Sequence, residues 1–123
     1  MRYLTARKRA EGKGASGTGT HEHWAMTVSG AGLAFIVPVW MYIFGSALGG
    51  TRAEVLETFA RPIPAVLTAL LLIIGLRHFV MGCTMMIEDY AHGSSRKIGI
   101  IAVHAIAWLI GAFGIFALVK IAI

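Results

Sequence analysis

The chain has a single cysteine, Cys83. It cannot close an intrachain disulfide, nor can it supply the thiolates of an iron–sulfur cluster by itself. Cys83 stands inside an apolar run, where a cysteine ordinarily serves as a small packing residue. Acidic residues are scarce too: six in 123, with none inside the first long apolar run. That counts against a small multidrug-type transporter, which wants a buried acid in its first span and a fourth span as well. Prolines number three. Two of them, Pro62 and Pro64, open an apolar run, the place where a missing N–H costs a helix least.

Apolar side chains are abundant. They make up 57% of the residues, and the mean hydropathy of +0.73 is too high for a soluble domain of this length. The basic residues are unevenly placed. Arg2, Arg7, Lys8, Arg9 and Lys13 crowd the first fifteen positions. A basic tail beside an apolar span orients a protein in a bilayer. Nucleic-acid binding is the poorer reading, because no basic or aromatic face continues the patch. A secretory signal fits badly as well, since a Gly/Ser/Thr stretch follows the basic residues and the apolar run after it is too long. The tail is glycine-rich rather than amphipathic, which favours a bacterial inner membrane over a mitochondrial transit peptide.

Residues 1–22 read as a polar, flexible cytoplasmic segment. Three apolar stretches follow, at about 24–48, 63–87 and 97–121, each long enough to cross a hydrocarbon core of about 30 Å. Backbone groups in lipid must be satisfied internally, so these are expected to be helices. The expected fold is all-α and integral to the membrane, with three transmembrane helices in one domain over residues 1–123. The connection from Gly49 to Arg61 is neutral overall. The one around Ala91–Ser95 is short, making the second and third helices antiparallel neighbours. Arg96 and Lys97 join the five basic residues of the tail, while Arg52, Arg61 and Lys120 lie on the opposite side. This seven-to-three imbalance predicts a cytoplasmic N-terminus and a periplasmic C-terminus.

The second span carries the chemistry. It holds Arg77 and His78 at membrane depth and ends in Glu88, Asp89 and Tyr90. Ionisable groups inside a span are costly and mark functional sites by default, and imidazole is a good ligand for haem iron. The chain therefore reads as a membrane protein that carries a cofactor. On the His78 helix face, Gly75 and Gly82 lie one turn above and below. They leave room for a flat macrocycle or for a close helix neighbour. From the residues alone His78 is either a haem ligand or a histidine hydrogen-bonded across a helix contact, and the second is the commoner case. Arg77 either pairs with a carboxylate, including that of a haem propionate, or snorkels.

Tyr90 lies twelve residues beyond His78, about 18 Å along a continuous helix. It is either an interfacial aromatic anchor or a hydrogen-bond donor to a quinone carbonyl, with a nearby carboxylate of Glu88-Asp89 orienting it or relaying protons. Spacing alone favours the anchor. His104, in the third span, is a second ligand or a packed hydrogen-bonding residue, the latter being favoured. Met81 and Met85 read as packing, and His21, His23 and His92 as interfacial. The Gly12–Gly17 stretch matches G-x-G-x-x-G, but no strand precedes it and a membrane span follows, so it is not a dinucleotide fingerprint.

With these residues in view, the chain resembles the small hydrophobic membrane-anchor subunit of succinate dehydrogenase, of the cytochrome b type. The likeness runs over almost the whole chain. Its specific part is the H-x(3)-G-x(6)-D-Y pattern of His78, Gly82, Asp89 and Tyr90. The Arg7–Gly12 segment resembles the alphaproteobacterial branch. The resemblance implies that His78 is one axial ligand of a haem b, the other coming from a larger cytochrome b subunit. It implies that Tyr90 hydrogen-bonds ubiquinone with Asp89 in support. It also implies that a flavoprotein and an iron–sulfur subunit hold the remaining centres and dock at the same face. This chain would then contain no complete active site. Many relatives carry an arginine early in the first span, where this chain reads Trp24–Gly30, so Arg77 or a partner residue would take that role near the haem propionates. Fumarate reductase anchors are the close rival. A non-redox structural or assembly protein is the rival of another class.

Overall fold

The structure is a computed structural model that describes residues 5–11 and 19–123. Among them lie five helices and no strand: α1 (Ala6–Glu11), α2 (Gly19–Ala47), α3 (Arg52–Ala60), α4 (Pro62–Tyr90) and α5 (Gly93–Ala122). The long apolar helices α2, α4 and α5 are the three expected spans. Each runs past the boundary read from hydropathy, because backbone hydrogen bonding continues into polar flanks that hydropathy excludes. The basic residues Arg2 and Lys13 and the Gly12–Gly17 stretch lie outside the described residues.

The polar segment read over residues 1–22 contains a short helix, α1, and the start of α2. The Gly49–Arg61 connection is a larger departure. It contains α3, a nine-residue helix started by a capping box. The Glu54 carboxylate accepts the Thr51 backbone N–H at 2.7 Å, and the Thr51 hydroxyl accepts the Glu54 N–H at 3.4 Å. The T-x-x-E spacing of Thr51 and Glu54 was the legible signal for it. Pro62 opens α4 as expected. Gly49, at φ 84°, makes the left-handed turn that releases the chain from α2.

The α4 helix is central. It packs against α2 on one side and α5 on the other, while α2 and α5 do not pack against each other and α3 touches all three. Glycine makes the α4–α5 contact close. A Cβ at Gly111 would stand 3.3 Å from Leu76 Cδ1, and one at Gly114 would stand 3.0 Å from Leu72 Cδ1. Removing side chains on α5 lets branched residues of α4 seat against its backbone, the usual device for helix association in lipid. Towards the other end of the bundle, Trp40 donates its indole N–H to Thr68 Oγ1 at 2.9 Å, and Thr68 donates to the Pro64 carbonyl at 2.7 Å. Trp40 also stacks on Phe44 and meets Phe59, tying α2, α3 and α4 together.

Hydrogen bonds from the Thr51 backbone and then its side chain hold the Glu54 carboxyl below its ordinary value. A depressed carboxylate pKa stabilises the fold above the unfolded value, and that contribution is lost as pH falls through the folded value. The start of α3 is therefore expected to fray as pH drops below the ordinary carboxylate range. Amide-exchange protection over residues 52–56, corrected for intrinsic rates, should decline with acid in the parent and become nearly pH-independent in Glu54→Gln.

Candidate functional site

His78 lies sixteen residues into α4 and faces α2. Its ring is half-buried, with Nδ1 2.9 Å from the Ser29 hydroxyl oxygen. Ser29 in turn donates to the Met26 carbonyl, one turn back on α2, at 3.0 Å. The ring lies close to the α2 backbone because residue 30 is glycine: a Cβ there would stand 3.3 Å from His78 Cε1. The two glycines expected to flank the ring are occupied by the neighbouring helix. Met26 Cε lies where a Gly82 Cβ would be 3.2 Å away, and Leu33 Cδ2 lies 3.9 Å from the equivalent point at Gly75. The contact at Gly82 is tight, whereas that at Gly75 is an ordinary van der Waals distance.

Arg77, one position round the helix, is exposed and makes no hydrogen bond or ion pair among the described residues. It borders two grooves. One, of about 1010 Å³, runs between α4 and α5 past Thr84, His104 and Trp108. The other, of about 550 Å³, lies between α2 and α4 and includes Ser29 and Gly32. A guanidinium at mid-span is costly unless it is paired or reaches the interface.

His104 donates Nδ1–H to the Ile100 carbonyl of its own helix at 2.9 Å and remains exposed. Its bond lies within α5 and not in a packed interface of this chain, the setting favoured from the sequence. Cys83 is half-buried and free. Among the described residues no three His, Cys, Asp or Glu side chains converge on a metal-sized site.

Continuous helix joins His78 to Tyr90, the last residue of α4. Tyr90 is 83% exposed. The three polar residues at this end do not act as one group. Glu88 is taken up by Arg96 at 2.7 Å, closing the α4–α5 turn, whereas Asp89 makes no ion pair or hydrogen bond among the described residues. Asp89 and Tyr90 are exposed neighbours without a bond between them. Sequence reasoning missed Ser29. A serine ten residues into an apolar helix, next to Gly30, was the available signal.

The fold and this site define a multi-pass helical membrane protein with a histidine seated in its central helix contact. The family model described as "Succinate dehydrogenase/Fumarate reductase transmembrane subunit" matches residues 1–118, and the chain belongs to that family. It is similar to the succinate dehydrogenase hydrophobic membrane anchor subunit of Paracoccus denitrificans, at 42% identity over 120 residues, 98% of this chain and 93% of the relative. No solved structure matches. The resemblance read from His78, Gly82, Asp89 and Tyr90 thus holds at the level of family: the chain is a membrane-anchor subunit of a succinate dehydrogenase-type complex.

Proposed function

We infer that this subunit supplies one axial ligand to a haem b and one wall of a ubiquinone site, and that it carries no complete active site of its own. The observation that supports the haem reading is the His78 environment. Its Nδ1 is engaged by Ser29, while Nε2 takes no hydrogen bond among the described residues. Gly30 provides a cradle that a Cβ would fill. These residues fit an axial ligand held from one side. Bound there, haem iron would accept and pass on single electrons. His78 would hold the iron, and Arg77 would neutralise a propionate or an acid of the adjoining subunit. Tyr90 would donate its phenol hydrogen to a quinone carbonyl, with Asp89 beside it as a proton relay.

The exposed apolar surface supports partners in the membrane. Among the described residues only Ala107 and Leu118 are buried, and Phe35, Tyr42, Trp108 and Phe113 all face outwards. Lipid covers part of that surface, and a larger cytochrome b subunit covers the part that completes the haem site. Flavoprotein and iron–sulfur subunits dock at the end carrying Tyr90, His92, Arg96 and Lys97. The Lys/Arg imbalance makes that end cytoplasmic in a bacterial inner membrane, with the C-terminus periplasmic.

One observation favours a purely structural role for His78: its hydrogen bond spans two helices. Purification of the intact complex through this chain separates the two readings. The complex should contain flavin, iron–sulfur centres and a b-type band in the dithionite-reduced minus oxidised spectrum, and should reduce ubiquinone with succinate. A complex with the other centres and quinone activity but no b-type band would be a haem-free anchor. An isolate lacking all of them would be a structural protein. Fumarate-dependent quinol oxidation, measured on the same preparation, reports the fumarate reductase alternative.

A further inference from the structure

The Ser29–His78 pair determines more than the position of a ring. A serine hydroxyl has one hydrogen and two lone pairs. Ser29 directs its hydrogen to the Met26 carbonyl at 3.0 Å, an acceptor that cannot donate. With the Ser29 hydrogen on Met26, the 2.9 Å contact to His78 has Nδ1 as donor and the Ser29 oxygen as acceptor. A neutral imidazole carrying its hydrogen on Nδ1 has an unprotonated Nε2, and that nitrogen has no hydrogen-bond partner among the described residues.

We propose that Ser29 is the positioning residue of the haem ligand: it fixes the His78 tautomer and ring orientation so that the Nε2 lone pair is presented to iron. The proposal rests on the haem reading above. The site is built for this purpose in two further respects. The bond to Met26 is local to α2 and fixes the Ser29 oxygen from its own helix. Gly30, the next residue, brings the α2 backbone near enough for the bond to form, since a Cβ there would already stand 3.3 Å from the ring. Partners of this kind on the second nitrogen orient a ligating histidine and raise its basicity, and their removal ordinarily weakens metal affinity by about 10–100-fold.

Greater basicity favours ferric over ferrous iron. Loss of the Ser29 acceptor should therefore weaken ferric binding more, and the midpoint potential should rise. A tenfold preferential loss corresponds to about 59 mV for a one-electron couple. The test uses the whole complex, purified with all its subunits and normalised to flavin. Ser29→Ala, Ser29→Thr and His78→Ala are compared by redox titration of the b-type band and by the low-spin ferric electron-paramagnetic-resonance signal.

The expected result is a raised midpoint and an altered ferric signal in Ser29→Ala, with both restored in Ser29→Thr, which keeps a hydroxyl able to bond back along the helix. Parent-like values in Ser29→Ala would overturn the proposal, as would equal shifts in the Ala and Thr variants, which would make the effect one of packing. A b-type band that survives unchanged in His78→Ala would overturn the haem reading instead, and this proposal with it. If Ser29→Ala fails to assemble while Ser29→Thr assembles with a shifted midpoint, the hydroxyl serves the helix contact and not the ligand, and the proposal fails.

Discussion

His78→Ala is expected to abolish the low-spin b-type band of the purified complex, or to replace it with a high-spin spectrum, while flavin and iron–sulfur contents stay near parent values. A haem bridging two subunits depends on both axial nitrogens for its low-spin state, and removal of one leaves a five-coordinate or lost haem. The substitution also leaves the Ser29 oxygen without its cross-helix partner and opens space in the α2–α4 contact. Reduced assembly alone would therefore be ambiguous. His78→Gln resolves it, because a carboxamide can still donate to Ser29 while being a poor ligand for haem iron. If His78 serves iron, the Gln variant should assemble better than the Ala variant and still lack the low-spin band. An unchanged spectrum in either variant would reject His78 as the ligand.

The spans were legible from the sequence because lipid imposes one rule on about 25 consecutive residues: apolar side chains on a closed hydrogen-bonded helix. Their order and the short connection around Ala91–Ser95 followed from the same rule, although Gly93–Ser95 belong to α5. The α3 helix was not read because it obeys a different one. Its signal is a four-residue capping box in a segment of ordinary composition, and hydropathy cannot register it. The site divides in the same way. His78, Arg77 and Tyr90 stood out because charge and hydrogen-bonding capacity are conspicuous in an apolar run. Ser29 did not, since a serine is unremarkable until the fold brings position 29 beside position 78. Gly75 and Gly82 could not be assigned either, because an absent side chain favours a cofactor and a neighbouring helix equally. In the fold, Met26 and Leu33 of α2 lie against the two positions. Glu88 looked equivalent to Asp89 until the α4–α5 turn brought Arg96 within 2.7 Å.

That asymmetry bears on the second large effect. With Glu88 engaged by Arg96, Asp89 is the carboxylate left to act beside Tyr90, and both side chains face outwards at the end of α4. Tyr90→Phe should lower succinate–ubiquinone reductase activity by about 10–100-fold, the loss expected when a hydrogen bond of about 1.5–3 kcal/mol to developing charge on a carbonyl oxygen is removed. Phenylalanine keeps the ring and its interfacial anchoring, so only the hydroxyl is tested. Succinate oxidation by a soluble dye, which bypasses the quinone, should remain at the parent rate, and the b-type band should be unchanged. Asp89→Asn should show the same split more weakly, with greater loss at high pH if the carboxylate passes protons. Glu88→Gln, which opens the turn without touching Tyr90, should leave the ratio of the two activities unaltered. Parent-like quinone activity in Tyr90→Phe would return Tyr90 to the role of aromatic anchor. Equal loss of quinone and dye activities would assign it to docking of the soluble subunits.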